Sequence, residues 1–120
     1  MYNLNRVMLV GQLTADSETS TLESGQQKTT FRVATNYSWK DKSGEWKEGA
    51  DFHQVVAWRK IAETAAKFKK GERVLVEGKL HSYNWEAKDG TKRYATEVVV
   101  SAVSLMAKAN PKEVKEKEED

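Results

Sequence analysis

At 120 residues the chain has room for one ordinary domain, which at that length buries roughly two-thirds of its unfolded surface, and a multidomain machine is excluded. With 38% hydrophobic and 32% charged residues and a mean hydropathy of -0.76, it is polar for a self-sufficient monomer without being apolar-poor enough to stay unfolded, which keeps oligomerisation in view. A formal net charge of +2 is too mild to announce a nucleic-acid partner, and the lack of cysteine excludes disulfides, cysteine nucleophiles, thiolate metal sites and iron–sulfur clusters.

No stretch approaches the roughly 18 to 20 apolar residues that span a bilayer, and the opening MYNLNRVMLV is too short and too polar for a signal peptide. A soluble, cytoplasmic protein with no membrane partner is the default expectation.

Strand periodicity dominates the body. Asn5 to Thr14 sets Val7, Leu9, Gly11 and Leu13 against Met8, Val10 and Gln12, with an interior glycine that predicts a bulge or tight bend. Lys28 to Lys40 alternates Phe31, Val33, Thr35, Tyr37 and Trp39 against Thr30, Arg32, Ala34, Asn36 and Ser38, a long strand rich in aromatic and β-branched types. Asp41-Lys42-Ser43-Gly44 is turn chemistry, and a third strand follows from Asp51 to Lys60. The period then lengthens. Between Lys60 and Lys70 the apolar Ile61, Ala65 and Phe68 fall at i, i+4 and i+7, and Lys69-Lys70 precede Gly71, which predicts one short helix. Two strands close the body, Glu72 to Trp85 and Lys92 to Met106, joined through the hairpin signal Asp89-Gly90.

Three strands, one helix and two strands, with glycines where long strands must bend, is the layout of an all-β, five-stranded OB-fold barrel with its helix between the third and fourth strands. A half-open sandwich with a helical plug is the competing architecture. Residues 1–107 form the expected domain. Residues 108–120 carry 4 lysines and 5 acids, the only proline, Pro111, and a single large aliphatic residue, Val114, and read as a charged mobile tail or a short solvated helix. Removing them leaves 16 basic against 13 acidic groups on the body, or +3.

The catalytic inventory is thin. His53 lies inside a strand and His81 at a strand end, far apart and without a metal-binding or triad-like grouping, so each reads as a packed or interface histidine. The chain holds no phosphate-cradling glycine motif, and no cofactor, metal or enzymatic activity is expected.

Aromatic residues say more. Trp39, Phe52, Trp58 and Trp85 lie near strand ends or amid charge. Arg32, Lys40, Lys42 and Lys47 surround Trp39 and Trp46, Arg59 and Lys60 follow Trp58, and Lys88, Lys92 and Arg93 lie near Trp85. Rings that stack on bases and cations that meet phosphates are what a single-stranded nucleic-acid groove requires, and neither contact distinguishes DNA from RNA. Any one aromatic ring in a strand is more often core than platform. Strand parity weighs against that for Trp58, because Phe52, Gln54, Val56 and Trp58 share a half-polar face while Val55 and Ala57 on the other suit a barrel interior.

Four segments carry a resemblance: Asn5–Thr14 (NRVMLVGQLT), Phe52–Glu63 (FHQVVAWRKIAE), Lys69–Leu80 (KKGERVLVEGKL) and Asp89–Val100 (DGTKRYATEVVV). In order and spacing, over about residues 3–106, they resemble the bacterial-type single-stranded DNA-binding protein family. The resemblance implies an OB-fold that assembles as a homotetramer, with a dimer as the alternative, and that coats single-stranded DNA in replication, recombination and repair, nucleoid-associated in the cytoplasm. It implies base stacking by Trp39, Phe52, Trp58 and Trp85, with Phe52 where a tryptophan and Trp58 where a phenylalanine is common. It also implies phosphate contacts by Lys42, Lys60 and Lys70 and a subunit contact by His53. Arg32, Lys40, Trp46 and Arg59 are further candidate DNA contacts, Trp46 being either an added platform or a loop residue packing on Trp39.

Two departures matter. Thr14-Ala15-Asp16-Ser17-Glu18 stands where the family often reads Thr-x-Asp-Pro-Glu, which predicts a looser loop. The end, Lys117-Glu118-Glu119-Asp120, has the acidity of the family's recruiting tip without its linker and Pro-Phe anchor, so a short form with doubtful recruitment of replication or repair proteins is expected. The rival from another class is an OB-fold module that mainly contacts protein.

Overall fold

A computed structural model describes residues 2–109. In chain order it contains β1 (Val7–Leu13), β2 (Glu18–Thr21), β3 (Gln27–Lys40), β4 (Trp46–Trp58), α1 (Arg59–Ala65), β5 (Arg73–Glu86) and β6 (Lys92–Ala107). The strands run in the order β1-β5-β6-β4-β3-β2, and β1 also pairs with β3, closing five long strands into a barrel. Closure uses a parallel β4–β6 contact at Val55↔Val98 and Val56↔Val99 and an antiparallel β1–β3 contact at Gln12↔Ala34 and Leu13↔Val33. The OB-fold barrel with one helix after the third long strand is the architecture the sequence predicts.

Inward positions alternate along each strand. Leu13, Phe31, Val33, Val55, Ala57, Val74, Val76, Val98 and Val100 fill the barrel, and Ala62, Ala65 and Phe68 close one end. Each fully buried Val or Phe contributes about 1.5–3 kcal/mol, so this interior holds the frame on which the exposed arms are carried.

Glycine makes the closure possible at two places. A Cβ at Gly11 would run into the Ala34 carbonyl oxygen and the Val33 side chain, so the expected bulge is instead a close approach of β1 to β3 with unbroken β1–β5 register. At Gly78 a Cβ would meet the Val99 carbonyl, and there β5 and β6 shift register between Glu77 and Gly78.

Element ends differ from expectation for local reasons. β2 is an addition: Glu-Thr-Ser-Thr is polar and exposed, so no apolar alternation marks it, yet it pairs with Gln27 to Thr30 of β3. β4 begins at Trp46 rather than Asp51 because pairing with β3 continues to the turn through residues without alternating hydrophobicity. The helix ends at Ala65 rather than Lys70. Lys67 and Phe68 donate their N–H groups to Thr64 and Ala65 carbonyls, a tightening that turns Phe68 into the core edge-on to Phe31, with centroids 5.6 Å apart.

The loop after β1 is anchored rather than loosened. Ser17 Oγ donates to the Ala65 and Phe68 carbonyls at 2.7 and 3.2 Å, its N–H donates to Phe68 O, and Asp16 accepts the Lys70 N–H at 2.8 Å. A proline in place of Ser17 would lack both of its donors. The expected tail, apart from Lys108 and Ala109, lies outside the described residues.

Beyond the barrel, the β3–β4 and β5–β6 hairpins continue as exposed two-stranded arms. A radius of gyration of 17.0 Å, against about 13 Å for a compact chain of ~100 residues, records their projection.

Candidate nucleic-acid interface

The β3–β4 ribbon keeps one register from Lys28↔Trp58 to Lys40↔Trp46, so alternation sorts its side chains without ambiguity. Lys28, Arg32, Lys40, Trp46, Phe52, Gln54, Val56 and Trp58 share the face that points away from the core. On it the Arg32 guanidinium lies 5.0 Å from the Phe52 ring centroid, and Lys28 Nζ lies 5.4 Å from that of Trp58. Each ring is thereby held against a cation, a contact that contributes about 0.5–1 kcal/mol at an exposed site. Phe52 is 54% exposed, while Trp58 is half-buried and Val56, between them, is buried against its strand neighbours. The half-polar face is real, with an apolar patch inside it.

Trp39 belongs to the opposite face. It is stacked on Tyr37, with centroids 5.6 Å apart and planes 28° apart, and so packs with Tyr37 rather than with Trp46, which shares the other face with Lys40. His53 lies on the Trp39 face where the ribbon leaves the barrel, half-buried, its Nε2 2.8 Å from Thr35 Oγ1.

Trp85 lies on the second arm. His81, Tyr83 and Trp85 alternate along one face of β5 and form a ladder, with ring centroids 6.2 and 5.6 Å apart and interplanar angles of 22° and 30°. The candidate stacking residues therefore form three groups: Phe52 with Trp58, Trp39 with Tyr37, and Trp85 with Tyr83 and His81.

The cations are dispersed around these groups. Lys42 lies in the β3–β4 turn, Lys60 in the first turn of α1, and Lys70 beside the β1–β2 loop, all exposed. Arg59 takes a left-handed backbone conformation, φ 58°, at the strand-to-helix junction, and with Lys60 it lines an open groove against Thr21, Gln26, Gln27 and Glu63. Among the described residues, none of Lys28, Arg32, Lys40, Lys42, Arg59, Lys60 and Lys70 has an acidic partner within 4.0 Å, whereas Arg6, Lys47 and Arg93 do.

The arm tips are fixed by one acid each. Asp41 Oδ1 accepts from the Ser43 hydroxyl and from the Ser43 and Glu45 N–H groups at 2.7–2.9 Å; the Ser43 hydroxyl first, then the Glu45 amide, holds its carboxyl below the usual value. Asp89 does the same with the hydroxyl and N–H of Thr91, the hydroxyl being the larger cause of its lowered pKa. Tyr37, Tyr83, His81 and Lys28 were missed by the sequence reading. Tyr37 and Trp39 do alternate in the sequence, but alternation marks a strand and not a ring pair, and Tyr83 carries no such signal because the apolar alternation of its strand, Val74 to Leu80, falls on the other parity.

Among the described residues no group of three or more His, Asp or Glu side chains could hold a metal ion. No helix among them is long and apolar enough to cross a membrane.

Residues 4–106 match the model of the Single-strand binding protein family. Among curated relatives, single-stranded DNA-binding protein 1 of Chlorobaculum tepidum is 40% identical over 105 residues, 86% of this chain and 65% of that protein. The chain thus spans about two-thirds of the length of that relative. The protein of the same name from Xylella fastidiosa is 39% identical over 110 residues, 90% of this chain and 81% of that one. Among solved structures, the Plasmodium falciparum SSB in complex with single-stranded DNA superposes with a TM-score of 0.80 at 30% identity, covering 88% of this chain and 97% of that one. A deletion mutant of the Thermus aquaticus single-stranded DNA-binding protein gives a TM-score of 0.74 at 29% identity, covering 86% and 50%.

Proposed function

The chain belongs to the single-strand binding protein family, and from that premise we propose that it binds single-stranded DNA without sequence preference, as a coating protein and not as an enzyme. The observation that carries the reading is the outward face of β3–β4, where Phe52 and Trp58 each lie against a cation, Arg32 and Lys28. A base stacked on such a ring contributes about 1–3 kcal/mol whatever its identity, and the nearby guanidinium or ammonium can meet the adjoining phosphate. Trp39 and Trp85 offer further platforms on the arms. Lys42, Lys60 and Lys70, which have no acidic partner within 4.0 Å among the described residues, supply phosphate contacts, and Lys40 and Trp46 on the β3–β4 arm and Arg59 at the β4–α1 junction are further candidate contacts.

Assembly as a homotetramer belongs to the same reading. Between Val7 and Gly11, β1 is hydrogen-bonded to β5 along one side, and only Gln12 and Leu13 pair with β3 on the other. The open edge and the exposed Met8 and Val10 beside it suit pairing with a second copy. His53 is a candidate subunit contact. Roles in replication, recombination and repair, in a nucleoid-associated location, follow from such coating; recruitment of other proteins through the acidic end falls on residues outside those described.

The test is a titration of intrinsic tryptophan fluorescence with oligo(dT) at several salt concentrations, with duplex competition and mass by light scattering. Saturable quenching that salt weakens and duplex DNA does not displace is the expected result. Trp58→Ala and Trp39→Ala should each lose about 1–3 kcal/mol of binding while melting like the parent. Unquenched fluorescence from folded protein would return the rings to a structural role and favour a module that contacts protein.

A further inference from the structure

The two arms carry the same arrangement of residues. On β3 the sequence runs Tyr37-x-Trp39, and on β5 it runs Tyr83-x-Trp85. Across the ribbon, Trp39 faces Lys47 and Tyr37 faces Gly49; Trp85 faces Arg93 and Tyr83 faces Ala95. Each arm therefore sets a Tyr–Trp pair against a cation and a small residue, on one face. The cation is held near the turn in both cases, Lys47 Nζ lying 3.4 Å from Glu45 and 3.9 Å from Asp41, and Arg93 3.7 Å from Asp89.

None of these rings serves the core. Tyr37, Trp39, Tyr83 and Trp85 are 42–48% exposed, and the two centroid separations are both 5.6 Å. A Cβ at Gly49 would lie 2.7 Å from the Tyr37 ring carbon and hydroxyl, so the glycine is what lets that tyrosine lie across the neighbouring strand. Apolar rings left in water on a two-stranded ribbon, with a cation beside each pair, need a ligand that is flat, apolar on its faces and anionic at its edge.

Strand geometry indicates how one could enter. Residues i and i+2 rise about 6.6 Å apart on a strand, close to twice the roughly 3.4 Å spacing of successive bases, so two rings standing upright from one strand leave room for one base between them. The rings of each pair lean together, with centroids 5.6 Å apart and planes 28° and 30° apart, so a base enters by turning them upright. We propose that Tyr37–Trp39 and Tyr83–Trp85 are paired base clips, in which the tyrosine is a DNA-contacting residue equal to its tryptophan and Lys47 or Arg93 exchanges its turn carboxylates, Glu45 and Asp41 or Asp89, for the phosphate of the bound nucleotide. This deepens the single-stranded DNA-binding reading and rests on it.

The experiment measures oligo(dT) affinity by anisotropy of a labelled strand for Tyr37→Leu, Tyr83→Leu and the corresponding Tyr→Phe variants, beside Trp58→Leu, whose ring lies outside both clips. Leucine keeps apolar bulk and removes the π-face; phenylalanine keeps the face. Each Leu variant should bind about fivefold or more weakly, and each Phe variant within about twofold of the parent. Thermal melting within a few degrees of the parent shows that the arms are intact. If both Leu variants bind like the parent while Trp58→Leu is weakened, the clips are wrong and base stacking elsewhere stands. If Phe loses as much as Leu, the hydroxyl and not the ring face is at work, and the clip is equally overturned. If the parent itself does not bind oligo(dT), it is the underlying function that fails.

Discussion

A methyl group added at Gly11 would collide with the Ala34 carbonyl, a backbone atom that cannot turn aside, and with Val33, which is fully buried. The collision falls at the seam where β1 closes the barrel on β3. Overpacking a rigid site typically costs 1–3 kcal/mol, so Gly11→Ala should lower stability by about that amount, read as a shifted urea midpoint at unchanged slope. A variant as stable as the parent would show that β1 can ride away from β3 without penalty. The sequence flagged this glycine but not its reason, because a bulge and a close approach to a distant strand look alike in one dimension. The same limit applied to Trp39 and Phe52. Their type was plain from the chain, while their placement on opposite faces of one ribbon depends on a register that begins at Lys40↔Trp46, in residues with no periodic pattern.

At the level of elements, the two arm turns are built on carboxylates rather than on apolar contacts. Asp41 is half-buried and Asp89 exposed, and both hold their carboxyls below the usual range through hydroxyl and amide donors. A carboxyl whose folded pKa is depressed contributes its stability above the unfolded value of 3.8 and loses it as pH falls through the folded one. Amide exchange at Ser43, Glu45 and Thr91, corrected for the intrinsic pH dependence, should therefore lose protection below about pH 4, ahead of the barrel strands. Protection that persists to the global acid transition would mean that the turns need no charge. Asp-Gly and Asp-x-Ser-Gly made both turns legible in the sequence. The short helix was legible as well, but its end was not: Phe68 continues the helical spacing, and only the requirement to meet Phe31 in the core takes it out of the helix. The β2 strand left no trace, since all four of its residues are exposed.

For the whole molecule, one frame carries two surfaces of opposite character. The arms and the outward face of β3–β4 are wet, aromatic and basic, whereas the outward side of β1 shows Met8 at 57% and Val10 at 44% exposure next to an unpaired strand edge. A chain this polar has little core to spare, and burying that edge between copies adds apolar area that a monomer cannot. Lysines along an edge strand oppose pairing by charge and by desolvation without touching the interior. Met8→Lys combined with Val10→Lys should therefore lower the mass seen by light scattering from that of the proposed assembly toward that of one chain, with the circular dichroism of the barrel retained. In the proposed assembly each subunit contributes its own rings and cations, so the dissociated form should still quench its tryptophans with short oligo(dT), while affinity for long strands that reach several subunits falls steeply through lost multivalency. An unchanged mass would remove the β1 edge as the interface. Equal loss on short and long strands would mean instead that the binding surface is completed by a neighbouring subunit.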